Sequence, residues 1–140
     1  MRPGPPRGET ATLEVTVTDE MTARLDDVEV HPVYGTTALV QHIEQVCRSL
    51  LVPHLEPGEE GVGAYLDVSQ RHPVPVGETV TLTATVASVG PTKLVCEVMV
   101  RHAGANVARG SFEQRVIELE AFRAEVASRR TVPEAGSTTQ

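Results

Sequence analysis

The sequence predicts an α+β domain in which one long helix packs on a curved antiparallel sheet of five strands. Three observations carry that prediction. Threonine alternates with apolar residues through Thr79-Val80-Thr81-Leu82-Thr83-Ala84-Thr85-Val86, the period of two expected of a half-exposed strand. The period becomes strongly helical once, where Leu39, Ile43, Val46, Cys47, Leu50 and Leu51 fall within roughly 120° on a helical wheel. The connections after this helix are too short for crossovers, so the strands that follow run antiparallel.

In chain order, residues 1–9 read as a flexible leader, because three prolines and two glycines remove donors and widen the backbone's choices. From Thr12 to Thr18, Leu13, Val15 and Val17 alternate with polar residues and predict the first strand. Residues 19–35 show no clean period, and Asp26-Asp27, His31-Pro32 and Gly35 predict a long connection of the kind that often carries function. The helix spans Thr36 to about Leu51, with Thr36 as a candidate cap after Gly35 and Pro53 as its stop. Residues 53–61 form a turn-rich loop. Strands follow near 62–72, 78–89, 93–102 and 106–118, separated by Pro73-Val74-Pro75-Val76-Gly77, Gly90-Pro91 and Gly104. A short helix over 118–129 closes a single domain of residues 10–129, and residues 130–140 read as a flexible tail.

Composition narrows the function. A chain of 140 residues suits one domain that buries about two thirds of its unfolded surface. Twelve basic against nineteen acidic residues, with only four aromatics, leave neither a basic stripe nor a stacking platform, which argues against a nucleic-acid partner. No apolar run reaches membrane-spanning length and no signal-peptide core follows the charged start, so no membrane is expected and a cytoplasmic location is. Cys47 and Cys96 stand 49 residues apart without metal-ligand spacing, and both read as buried core thiols. No metal or cofactor is expected.

The order strand, long loop, helix, four strands fits the hot-dog fold by analogy, and an α+β roll of another topology fits it almost as well; exposed sheet edges invite pairing into a homodimer. Along the chain, several runs share an order and spacing: Val33-Tyr34-Gly35-Thr36-Thr37, Glu44, Leu55-Glu56-Pro57-Gly58-Glu59, Gly63, Pro73-Val74-Pro75-Val76-Gly77 and Arg115-Val116-Ile117-Glu118-Leu119-Glu120-Ala121-Phe122. Over roughly residues 8–126 this pattern resembles the fluoroacetyl-CoA thioesterase family. In that family a threonine, a glutamate and a histidine serve thioester hydrolysis. The resemblance places the first two at Thr36 and Glu44 and puts Gln70 where the histidine would stand. Glutamine does not titrate, so it cannot relay a proton as imidazole does. His72, two residues along the same predicted strand, is the candidate replacement. Val30 occupies the position of one gating phenylalanine, so specificity for a fluorinated acyl group is not implied.

The residues themselves agree in part. Glu44 sits at the border of the helix's apolar stripe, where a carboxylate needs a partner or a purpose. Thr36 and Glu44 lie about 12 Å apart along a straight helix, so a shared reaction centre requires the substrate or a second subunit between them. Gly63 offers an N–H to a thioester carbonyl, Gln70 a further donor, Tyr34 lines the acyl end of the cleft, and His31 in the long loop is a further candidate for substrate binding. His42 falls on the helix's outer side. The sequence therefore predicts a thioesterase-like enzyme that hydrolyses a small acyl thioester of coenzyme A or an acyl carrier protein. One alternative is a dual-function enzyme of secondary metabolism that adds an amine such as glycine to an α,β-unsaturated acyl thioester (Michael addition) before hydrolysis. Another is a non-catalytic acyl-thioester binding module.

Overall fold

The computed structural model describes residues 1–133, so most of the expected tail, residues 134–140, lies outside the described residues. Its main layer is a five-stranded antiparallel sheet built from β1 (Thr10–Thr16), β4 (Glu59–Gln70), β5 (Thr79–Val89), β6 (Lys93–His102) and β7 (Ala105–Glu118), in spatial order β1-β5-β6-β7-β4. Across one face lies α1 (Thr36–Leu51), and α2 (Leu119–Ser128) follows β7. The hot-dog architecture expected from the sequence is present.

The core arises from matched periods. The six apolar residues predicted to share one side of the helix are the buried residues of α1. They meet alternate side chains of the sheet, including Val80, Leu82, Ala84 and Val86 of β5 and Leu94, Cys96, Val98 and Val100 of β6. Each valine, leucine or isoleucine among them contributes about 1.5–3 kcal/mol when fully buried, so this contact fixes where α1 lies. Both cysteines are buried within it. Gly110 of β7 permits the close fit: a Cβ there would lie 2.7 Å from the Asp67 carbonyl oxygen and 3.3 Å from Ile43 Cδ1.

Two regions depart from the sequence reading. Residues 19–35 are not a plain connection, because β2 (Thr22–Leu25) and β3 (Val28–Tyr34) pair as a separate antiparallel hairpin. Its turn is Asp26-Asp27, both at positive φ (53° and 61°), a conformation that aspartate tolerates better than most residues. No alternation announced these strands because only the paired residues Thr22 and Tyr34 at one end are buried, while Leu25, Val28 and Val30 remain 70%, 64% and 46% exposed. Residues 1–9, expected to be mobile, lie against the domain. Met1 and Pro5 are buried, and Gly8 N–H donates to the Val86 carbonyl at 2.9 Å.

Strand ends also move. The predicted strand 62–72 runs instead from Glu59 to Gln70, since Arg71 and His72 N–H both turn to the Val107 carbonyl, at 2.8 and 3.2 Å, ahead of Pro73. The expected common face for Gln70 and His72 is thereby lost, because strand periodicity ends at Gln70.

Candidate active site

The site begins where β3 turns into α1. Gly35 occupies the N-cap with φ −84° and ψ 155°, and no side chain caps the helix. A Cβ on Gly35 would lie 2.9 Å from the Ala23 backbone, so glycine lets the hairpin close against the helix start. Thr36 is the first helical residue and not the cap. Its hydroxyl instead donates to Gln70 Oε1 at 2.7 Å. The uncapped first-turn N–H groups give this end a positive partial charge.

Gln70 ends β4, opposite buried Ala108 and therefore on the helix-facing side of the sheet. Its Nε2 donates to the Tyr34 carbonyl oxygen at 2.9 Å. Tyr34 is itself fixed from two sides. Its N–H donates to the Val74 carbonyl at 2.8 Å, and its hydroxyl meets His42 Nδ1 at 2.5 Å. The two rings stack, with centroids 5.8 Å apart. Burial pushes the Tyr34 phenol far above its ordinary range and holds His42 below its own. At neutral pH the phenol therefore keeps its proton and the imidazole is neutral, and the two share one hydrogen bond whose direction follows the imidazole tautomer.

Thr36 stands between two openings. One, of about 460 Å³, lies between the hairpin and the start of α1 and is lined by Glu20, Arg24, Leu25, Val30, His31 and Thr37 among others. The second, a groove of about 370 Å³, is lined by His31, Val33, Tyr34, Gln70, Arg71 and His72 together with Thr36. His31 and His72, both exposed, thus reach the groove that Thr36 and Gln70 share. Tyr34, expected to line the acyl end, has its side chain buried and meets Gln70 through its carbonyl.

Glu44 lies two turns further along α1. It is exposed in the single chain, not half-submerged as its place on the wheel suggested. It nevertheless borders Gly63 of β4: a Cβ on Gly63 would be 3.6 Å from Glu44 Oε2 and 3.1 Å from Phe112 Cζ. Immediately after Gly63 the pairing with β7 skips Ala64, a bulge at which the strand is re-aimed. One chain therefore holds two clusters, Thr36 with Gln70 and Glu44 with Gly63, separated by eight helical residues or about 12 Å.

Sequence reasoning missed two contributors. His42 was placed on the outer side of the helix, yet it is half-buried and bonded to Tyr34; nothing in the spacing of Tyr34 and His42 announces a contact made through tertiary packing. The hairpin wall had one legible signal, the two-residue Asp26-Asp27 turn between Leu25 and Val28. Among the described residues, no group of three or more His, Cys, Asp or Glu is placed to hold a metal ion. No helix there is long and apolar enough to cross a membrane.

Comparison with known proteins points the same way. The profile of the fluoroacetyl-CoA-specific thioesterases matches residues 17–120. The fluoroacetyl-CoA thioesterase of Streptantibioticus cattleyicolor is 35% identical over 94 residues, spanning 67% of this chain and 68% of that one. A solved structure of a fluoroacetyl-CoA thioesterase superposes with a TM-score of 0.81 at 31% identity, covering 91% of this chain and 98% of the other. A Thermus thermophilus member of the thioesterase superfamily superposes with a TM-score of 0.86 at 32% identity, covering 91% and 94%.

Proposed function

The chain belongs to the fluoroacetyl-CoA-specific thioesterase family, and from that membership we propose that it hydrolyses a small acyl thioester carried by coenzyme A or an acyl carrier protein. The observation that carries the reading is the Thr36–Gln70 hydrogen bond at the mouth of two clefts, with Glu44 beside Gly63 on the same helix and strand pair. Glu44 acts as general base. It takes a proton from water as the water oxygen bonds to the carbonyl carbon, and returns it to the thiolate when the C–S bond breaks. The Gly63 N–H, with the second Nε2 hydrogen of Gln70, steadies the oxyanion. His31 and His72 flank the groove and bind the substrate's polar parts; His72 makes no hydrogen bond to Thr36 that would put it in the place of an imidazole relay. No feature of the geometry favours amine addition over hydrolysis, so the reading keeps to hydrolysis.

The gap between the two clusters is closed by a second copy. β4 is an edge strand of 12 residues, it carries both Gly63 and Gln70, and its Tyr65 is 59% exposed. An isologous pairing along this edge sets the Glu44–Gly63 cluster of one protomer near the Thr36–Gln70 cluster of its partner. Thiol release from a panel of short acyl-CoA thioesters tests the activity, and absence of release from all of them refutes it. Mixing two impaired variants, Thr36→Val and Glu44→Gln, tests the shared site: random exchange of subunits returns about a quarter of the sites to the wild-type pairing and raises the rate above the mean of the two variants, whereas no rise after exchange refutes sharing.

A further inference from the structure

We infer that Tyr34 and Gln70 are positioning residues that lock Thr36 as a hydrogen-bond acceptor toward the cleft, where it holds the attacking water and never becomes acylated. This rests on the hydrolytic reading above and assigns the threonine's part in it. The argument is one of polarity. The Tyr34 carbonyl oxygen has lone pairs and no proton, so the Gln70 group 2.9 Å away must be its NH2. The other end of the amide, Oε1, then faces Thr36 Oγ1 at 2.7 Å. An amide oxygen has no proton to offer, so Thr36 must donate. A hydroxyl has one hydrogen, and once it points at Gln70 only lone pairs are left for the cleft.

Flipping the amide would set oxygen against oxygen at Tyr34, and Tyr34 cannot move to relieve this. Its N–H is tied to Val74, its ring is buried and its hydroxyl is tied to His42. Nor can Gln70 extract the hydroxyl proton, because an amide oxygen is far too weak a base to generate an alkoxide. Thr36 thus meets a donor, and in hydrolysis that donor is water. One water O–H points at Thr36 Oγ1 while the water oxygen forms the bond to the carbonyl carbon. The proton lost goes to Glu44 and from there to the departing thiolate; the Thr36 proton stays on its hydrogen bond to Gln70 throughout.

The test is a double-variant cycle with two further readouts, all on the full chain. Thr36→Val and Gln70→Met each lower kcat by roughly tenfold or more while KM moves less than about twofold, since the interaction belongs to the transition state. The double variant falls no further than Gln70→Met alone, because Thr36 acts only through its hydrogen bond to Gln70, whereas Gln70→Met removes that bond and the oxyanion contact together. Losses that multiply overturn the inference. Thr36→Ser, which keeps the hydroxyl, recovers most of the loss. Gln70→His adds an acid limb to the pH–kcat profile near the ordinary imidazole value of about 6.5, because only the neutral ring both donates to Tyr34 and accepts from Thr36; an unchanged profile overturns it. Intact-mass spectra after a quenched single turnover show no acyl adduct, and an adduct mapped to Thr36 overturns it. Should the chain release no thiol at all, the hydrolytic reading fails by itself. The lock is then read by NMR of the Gln70 side-chain amide, where one proton exchanges slowly and the other fast; two equally fast protons overturn it.

Discussion

The two ends of the cleft-facing side of α1 are built differently. At the N-terminal end Thr36 has its hydrogen committed to Gln70, Gln70 donates to the Tyr34 carbonyl, and the Tyr34 ring is held by His42, so the direction of the first two bonds is fixed. Eight residues on, Glu44 is exposed and borders Gly63. The first arrangement suits orientation, because a chain of hydrogen bonds sets polarity before substrate arrives. The second suits proton transfer, because a carboxylate with room around it can accept and return a proton without breaking a bond to protein.

The largest effect expected from this contrast is at the loose end. Glu44→Gln lowers kcat by about 10²–10⁴-fold, the span of general-base catalysis, while circular dichroism and sedimentation stay unchanged. A variant that keeps more than a tenth of the wild-type rate removes the base from the mechanism. Next comes Gly35→Ala at the rigid end. Its Cβ would meet the hairpin at 2.9 Å, on backbone atoms of Thr22 and Ala23 that cannot rotate aside. The strain costs about 1–3 kcal/mol, and kcat/KM falls by roughly tenfold as the cleft wall shifts. Denaturant unfolding and steady-state kinetics check both, and an unchanged kcat/KM would mean that the hairpin does not shape the cleft. Gly63→Ala should act mainly at the other cluster: Phe112 must give way by a few tenths of an ångström, a cost of about 1 kcal/mol, and kcat falls more than stability does.

The smallest effect concerns pH. Burial holds the His42 value below that of the free imidazole, so the folded chain resists a proton that the unfolded chain takes up near pH 6.5. Stability from this source is full above that pH and is lost progressively as pH falls from it toward the lower folded-state value. His42→Phe keeps a ring against Tyr34 and removes the titration, so its melting temperature should fall less than that of wild type between pH 7 and pH 5. Equal falls in the two proteins would place the acid sensitivity elsewhere.

Particular elements show how much was legible in the sequence. The strand Lys93–His102 and the helix Thr36–Leu51 occur with the bounds that periodicity predicted, because each presents one face to the core and the core rewards only one phase. The hairpin at 22–34 was invisible to the same reasoning, since burial reaches only Thr22 and Tyr34 at one end of it and leaves no repeating period along its strands. In the site, Thr36, Gln70, Glu44 and Gly63 were named from the resemblance. Their division into two pairs, and the exposure of Glu44, were not.

What the sequence determined by itself was the layered core and the identity of the polar residues beside it, because burial repeats with the period of each element and so leaves its mark along the chain. Only the tertiary structure decided which of those polar groups meet. Tyr34, His42 and Gln70 come from a strand end, a helix and another strand end, and a hydrogen bond among them depends on angles and distances of a few tenths of an ångström. No local pattern of residues encodes those angles, and they exist only once the sheet and helix have closed on each other.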